Sequence, residues 1–285
     1  LNIFHIRAAL DSWPAAECYK NKTGTNAMAQ PRAPFSPSRF AGAEAGLSFA
    51  LGLPRIDGVL GGGLALHALH EIAPSAPSHA GAALGWALIL AGQALRRRRA
   101  RAEILLVQQD FAALESGALY GAGLSAFGLA PARVLLVRAA RPLDALWTME
   151  EGLRCAGFAA VIGEIGQSQE ADLTATRRLS LSAQAGEGLG LLLRPRPDPN
   201  ASACVTRWEV AAAPGTGDRF GGLGRIGFAL NLTKNKRGPT GAWDVEWDVY
   251  ERGFASADSL PVAAPSSGRP HRQSRAASGF RAVSG

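Results

Sequence analysis

Short apolar runs recur along the middle of the chain, and amphipathic stretches separate them. Leu64–Ile72 (LALHALHEI), Glu103–Gln108 (EILLVQ), Val134–Val137 (VLLV), Ala159–Ile162 (AAVI) and Gly188–Leu193 (GLGLLL) read as buried strands. Between them, Gly81–Arg101 reads as a helix whose apolar part ends in arginines, and Phe111–Gly123 as a second helix. Pro142–Cys155 carries Leu143, Leu146, Met149 and Leu153, and Ala171–Ala185 carries Leu173, Leu179 and Leu181, both at helical spacing. Buried strands alternating with helices are the pattern of a parallel sheet covered on both faces.

After residue 200 the period changes to two. Cys204–Ala211, Ile226–Leu232 and Trp243–Tyr250 alternate, and Gly238-Pro239-Thr240-Gly241 supplies a turn. That predicts an antiparallel hairpin appended to the parallel sheet, with Trp243, Val245, Trp247 and Val249 on one side. Met28 would be an ordinary start, so residues 1–27 read as an upstream extension of the frame or as a disordered arm continuing to 44. Residues 255–285, rich in Ser, Pro, Ala, Gly and Arg, read as a disordered basic tail. The expected folded body is 45–254.

Charge and cysteine content narrow the classes. The chain has 285 residues, 47% hydrophobic and 19% charged, with a net charge of +7. The tail holds Arg269, Arg272, Arg275 and Arg281 against Asp258, so the body is only mildly basic. Charge alone is a thin argument for nucleic acid. The longest apolar run falls short of the roughly 20 residues of a spanning helix, so no membrane role is expected. No signal peptide is expected at the start either. Cys18, Cys155 and Cys204 are far apart and unpaired by spacing, which fits a reducing cytoplasm and argues against a zinc site.

The order of elements resembles the RecA-like ATPase core. The likeness begins in Leu51–Gly63, with its run LPRIDGVLGGGL, continues through the strand–helix units, and ends at Thr233-Lys234-Asn235-Lys236. Closer still, GGGLALHALHEI, LLLRP at 191–195 and TKNKRGPTGAW resemble the ImuA family, RecA-like accessory proteins of damage-inducible mutagenesis, also described as SulA-like. The likeness implies an α/β fold of the RecA-like P-loop NTPase type. It has a largely parallel sheet, helices on both faces and a C-terminal antiparallel hairpin.

A P-loop needs G-x-x-x-x-G-K-[ST] between a strand and a helix: amides cradle phosphates, Lys supplies charge, and the hydroxyl ligates magnesium. Here that place reads Ala73-Pro74-Ser75-Ala76-Pro77-Ser78-His79-Ala80. Ala73 and Ser78 stand for the glycines, His79 for the lysine and Ala80 for the hydroxyl. Pro74 and Pro77 remove two amides. This degenerate Walker A predicts no ATP hydrolysis, no cofactor and no metal. Asp110 and Glu164 stand nearest the catalytic glutamate and the Walker B acid. Without a held phosphate they read as solvated strand ends or caps.

By the RecA likeness, Lys234 and Lys236, with Arg237 beside them, mark a contact with a neighbouring subunit or partner. A basic hairpin tip that keeps an edge soluble is the alternative. Arg96, Arg97, Arg98, Arg99 and Arg101 form either a solvated helix end or a patch for DNA or a partner. His67 and His70 fall on opposite faces of a strand, so they make no metal pair.

The family likeness implies a non-catalytic adaptor in SOS-induced translesion synthesis, in the cytoplasm and at the nucleoid after damage. The implied partners are RecA, an ImuB-type Y-family polymerase homologue and an error-prone replicative-type DNA polymerase, with single-stranded DNA as a further candidate. An active RecA/RadA-type ATPase using His79, Asp110 and Glu164, and a SulA-like division inhibitor, are the competing readings.

Overall fold

The computed structural model describes residues 48–97, 102–117, 119–166, 168–217 and 224–255. The expected arm, the tail from 256, and Arg98, Arg99 and Arg101 lie outside the described residues.

The chain opens with β1 (Ser48–Phe49), α1 (Pro54–Val59), β2 (Leu64–Ala65) and β3 (Leu69–Pro74). A single turn of 3-10 helix (Pro77–His79) then leads into α2 (Ala80–Arg97). Next come β4 (Glu103–Gln109), α3 (Asp110–Ser116), α4 (Gly121–Ala126), β5 (Val134–Ala139), α5 (Pro142–Arg154), β6 (Phe158–Glu164), α6 (Leu173–Gly186) and β7 (Leu189–Leu193). The chain finishes with β8 (Thr206–Ala213), β9 (Arg225–Asn235), β10 (Gly241–Asp248) and β11 (Gly253–Phe254).

Among the described residues one sheet has nine strands, in the order β11-β10-β9-β8-β3-β7-β6-β4-β5. The six from β8 to β5 are parallel, and β9, β10 and β11 add antiparallel. The expected RecA-like arrangement, a largely parallel sheet with a C-terminal antiparallel hairpin, is therefore present. β8 alternates like a one-sided strand yet runs parallel to β3. It is the hinge between the two parts of the sheet.

Strand period two divides the core. Ile104 and Leu106 of β4 pack with α2, while Leu105 and Val107 pack with Met149 and Leu153 of α5. α2 buries Trp86 against Trp208, Phe228 and Phe254, with ring centroids 5.7, 6.2 and 5.6 Å away. Trp243, Val245, Trp247 and Val249 turn to this same core, as the alternation predicts.

Three expectations need correction. Leu64–Ile72 is two strands, because His67 takes φ 52° and turns the chain between β2 and β3. Phe111–Gly123 is two short helices, ended first at Gly117, whose φ of 86° suits glycine. Leu143, Leu173 and Leu181 sit at helical spacing but are exposed. The buried stripes run through Leu146, Met149 and Leu153, and through Leu179 and Ala183.

Candidate functional site

The residues singled out by the sequence lie at two opposite ends of the sheet. At the carboxyl end of β3, the segment in the P-loop position is stitched to β8. The Ser75 amide donates to Val210 O at 2.9 Å. The Ala212 amide donates to His79 Nδ1 at 3.2 Å. That contact turns the ring nitrogen towards the β8 backbone. His79 N and Ala80 N are spent on Ala76 O and Pro77 O. Pro74 and Pro77 carry no amide hydrogen, which leaves the Ala76 and Ser78 amides of this segment uncommitted. Ala73 is buried within β3, and Ala80 opens α2 with a bare methyl.

Asp110 and Glu164 lie on the same edge of the sheet, further along it: β7 lies between β3 and Glu164's strand β6, and Asp110 follows β4, the next strand beyond. Glu164 is buried and accepts from Gln108 Nε2 at 2.7 Å. It is therefore not the solvated strand end the sequence suggested. Gln108 sits opposite it in register, and a cross-strand amide satisfies the carboxylate. Asp110 opens α3 and pairs with Arg138 at 3.1 Å. Next to it, Gln109 Oε1 accepts from Gly166 N at 2.9 Å. Glu164 is thus held inside the protein, whereas Asp110 stays half-exposed beside Arg138.

At the amino end of the central strands the arrangement is basic. Lys234 lies in β9 opposite Arg207 of β8. Its Nζ donates to Ser202 O at 2.6 Å, and Lys236 Nζ donates to Ala203 O at 2.7 Å. Burial holds both ammonium pKa values below the usual lysine range. The added repulsion comes from Lys236 and Arg207 at Lys234, and from Arg177 at Lys236. The two lysines thus pin the segment entering β8. Arg237 is exposed. This end lies about five β8 residues from the Ala212–His79 contact, roughly 17 Å along the strand. A chain's own Lys234 and Lys236 are therefore not part of its own phosphate loop.

Sequence reading missed the group beneath these lysines. Glu71, fully buried in β3, faces Arg207 Nε at 3.3 Å and Arg194 Nε at 3.8 Å. Those distances are ionic, but none of Glu71 Oε1, Arg194 Nε and Arg207 Nε has hydrogen-bond geometry to a partner. Arg194 also donates to Ala171 O at 2.6 Å, and Arg207 to Asn200 O at 2.8 Å. The neighbouring Cys204 thiol is pushed up to about 12, first by burial and then by Glu71. The signal was present as one acid and two arginines inside apolar strands, residues rarely buried unless paired.

The two motifs that carry the RecA likeness touch one another. In Leu51–Gly63, the Asp57 carboxylate accepts the amides of Leu51, Gly52 and Leu53 at 2.7, 3.1 and 3.0 Å. Gly63 has φ 134°, and a Cβ there would collide with the Phe49 carbonyl. Asn235, between the lysines, donates to Val59 O at 3.0 Å and to Pro239 O at 2.9 Å. Its Oδ1 accepts the Arg237 amide at 2.9 Å. The hairpin tip is thereby fixed on α1.

His70 is a satisfied core histidine. Its Nε2 donates to Ala65 O at 2.8 Å, and its Nδ1 accepts from the Thr206 hydroxyl at 2.7 Å. Trp208 Nε1 donates to that hydroxyl at 2.9 Å. Burial pulls the imidazole pKa down to about 4. Arg96 is exposed, and its pKa is held down by partial desolvation and by Arg97 and Arg252. Arg97 folds back to Gln93 O and Ala50 O and lies 4.9 Å over the Phe49 ring. It is exposed and folds back along the surface, in keeping with a solvated helix end. Among the described residues no helix is long and apolar enough to cross a membrane, and no cluster of metal-ligating side chains occurs.

A mostly parallel sheet covered on both faces, with a phosphate-loop position emptied of glycine and lysine, defines a RecA-like α/β protein with a degenerate Walker A. The chain is 31% identical over 210 residues to Protein ImuA of Caulobacter vibrioides, in strains NA1000 and CB 15 alike. The match covers 69% of this chain and 81% of that protein. The chain belongs to the ImuA family. No protein-family model matches it. Among solved structures, that of the RadB recombinase is similar over 72% of this chain and 98% of its own, with a TM-score of 0.47 and 14% identity.

Proposed function

We propose that this protein is a non-catalytic accessory factor of damage-induced mutagenic translesion synthesis. It joins RecA on DNA to an ImuB-type polymerase homologue and an error-prone replicative-type polymerase. It works in the cytoplasm and gathers at the nucleoid after damage. The observation that carries the reading is the phosphate loop. The Ser75, His79 and Ala80 amides, and the His79 ring nitrogen facing β8, are bonded within the chain, in a protein that keeps the rest of the RecA-like sheet. A fold retained without its hydrolytic site is suited to docking rather than turnover. Family membership supports the pathway.

The test is affinity isolation of the tagged full chain from cells treated with a DNA-damaging agent, beside an Arg237→Ala variant. Arg237 is exposed, and its side chain holds no part of the tip. Recovery of RecA and both polymerase-type proteins, with RecA reduced in the variant, is the expected outcome. Recovery of none of the three from the wild type would remove the adaptor reading.

A further inference from the structure

We infer that the amino end of the sheet binds a nucleic-acid backbone, through Lys234, Lys236, Arg237 and Arg177. This goes beyond the adaptor reading and does not depend on it. Four observations converge. First, Lys234 and Lys236 are alternate residues of one extended segment, since the Lys236 amide continues the ladder to Val205 O. Their ammonium groups reach consecutive carbonyls, Ser202 O and Ala203 O, so they share a face. Alternate positions are about 7 Å apart, the interval of successive phosphates on an extended strand.

Second, an ammonium group has three donors. The structure uses one of each lysine's for a carbonyl, which fixes the group in place and leaves two to donate outward. Third, the cations adjoin one another. Ala203, which accepts from Lys236, donates its amide to Thr176 of α6 at 3.0 Å, and exposed Arg177 follows directly. Arg177 and Lys236 repel each other, as do Lys234 and Arg207. The nearby carboxylates are Glu71, buried against two arginines, and Asp198, 4.0 Å from Arg194. Glu71 attracts Lys234 but already faces two arginines, and no ion pair to a carboxylate is made by Lys234, Lys236, Arg177 or Arg237 among the described residues.

Fourth, the row has charge without apolar anchors. Exposed Leu173 and Leu181 flank Arg177 on α6 eight residues apart, about 12 Å, and form no contiguous patch. A phosphate chain is held largely by charge, which this row supplies. No exposed aromatic ring lies among these residues, so bases are not stacked and the binding is insensitive to sequence.

The probe is a fluorescently labelled twenty-residue oligothymidylate, titrated with the full chain and followed by anisotropy over a range of salt. Wild type is compared with Lys234→Gln/Lys236→Gln, with Arg177→Gln/Arg237→Gln, and with Arg138→Gln at the opposite end of the sheet. The expected result is saturable binding that each double substitution weakens about tenfold. Each should also flatten the slope of log affinity against log salt by about 1.4, the value for two lost phosphate contacts on a single strand. Arg138→Gln should leave both unchanged. Because the lysines also pin the segment before β8, the Arg177→Gln/Arg237→Gln pair carries the test if the lysine variant fails to fold. No binding by the wild type, an unchanged salt slope in that arginine pair, or equal displacement by poly-glutamate would each overturn the proposal.

Discussion

Individual side chains in this protein do paired work, and the pairing makes their substitutions unequal. Trp86 and Trp208 are both fully buried and in contact, but Trp208 Nε1 is bonded to Thr206 while Trp86 Nε1 has no partner. Trp208→Phe should therefore cost about 1 kcal/mol more than Trp86→Phe in urea unfolding, the net worth of one hydrogen bond. Equal costs would mean that the Trp208–Thr206–His70 relay adds nothing. His70 at the end of that relay must stay neutral. Its folded pKa, about 4, lies below the ordinary 6.5, so the unfolded chain binds the proton more readily. Its contribution is complete above about pH 6.5 and is lost as pH falls towards 4, roughly 3 kcal/mol in all. Urea midpoints of wild type should drop across that window, and those of His70→Gln should drop less. At this scale the sequence was half legible. It rejected His70 as a metal ligand, but the partner 136 positions away could not be read from spacing.

Elements follow apolar period, except where one residue's backbone breaks them. The strands from β4 to β7 and the helices α2, α5 and α6 fall where the pattern puts them, because burial on both faces leaves no other use for such runs. The breaks at His67 and Gly117 are φ events with no hydrophobic signature. The direction of β8 was equally hidden, since alternation reports one covered face and not the sense of the chain. Gly63 shows how firmly such a local choice is held. Gly63→Ala would force a Cβ into the Phe49 carbonyl at a positive φ, separating β1 from β2. A loss above about 2 kcal/mol is expected from chemical denaturation, with a smaller loss at Gly61, where a Cβ meets open space. Glu71 ties β3 to β7 and β8 through Arg194 and Arg207. Glu71→Ala strands two buried guanidinium groups and should cost about 3–5 kcal/mol. A loss under 1 kcal/mol would show that water reaches the arginines.

The whole molecule presents two different ends of the sheet. At the carboxyl end, in the places of the nucleotide machinery, Ala73 and Glu164 are buried, His79 and Asp110 are bonded within the chain, Ala80 offers only a methyl, and Ser78 stands exposed. The departure from the phosphate-loop motif was legible because that motif is contiguous, and missing residues show at once. The amino end was legible only in Lys234, Lys236 and Arg237. The buried Glu71 group and the Asn235–Val59 contact join residues far apart in the chain, and no local pattern announces them. The central claim, a RecA-like protein whose phosphate site has been dismantled, meets its most direct test in equilibrium dialysis of magnesium-ATP against the full chain. The account predicts no saturable binding up to millimolar nucleotide, in wild type and His79→Ala alike. Saturable binding that His79→Ala abolishes would contradict it.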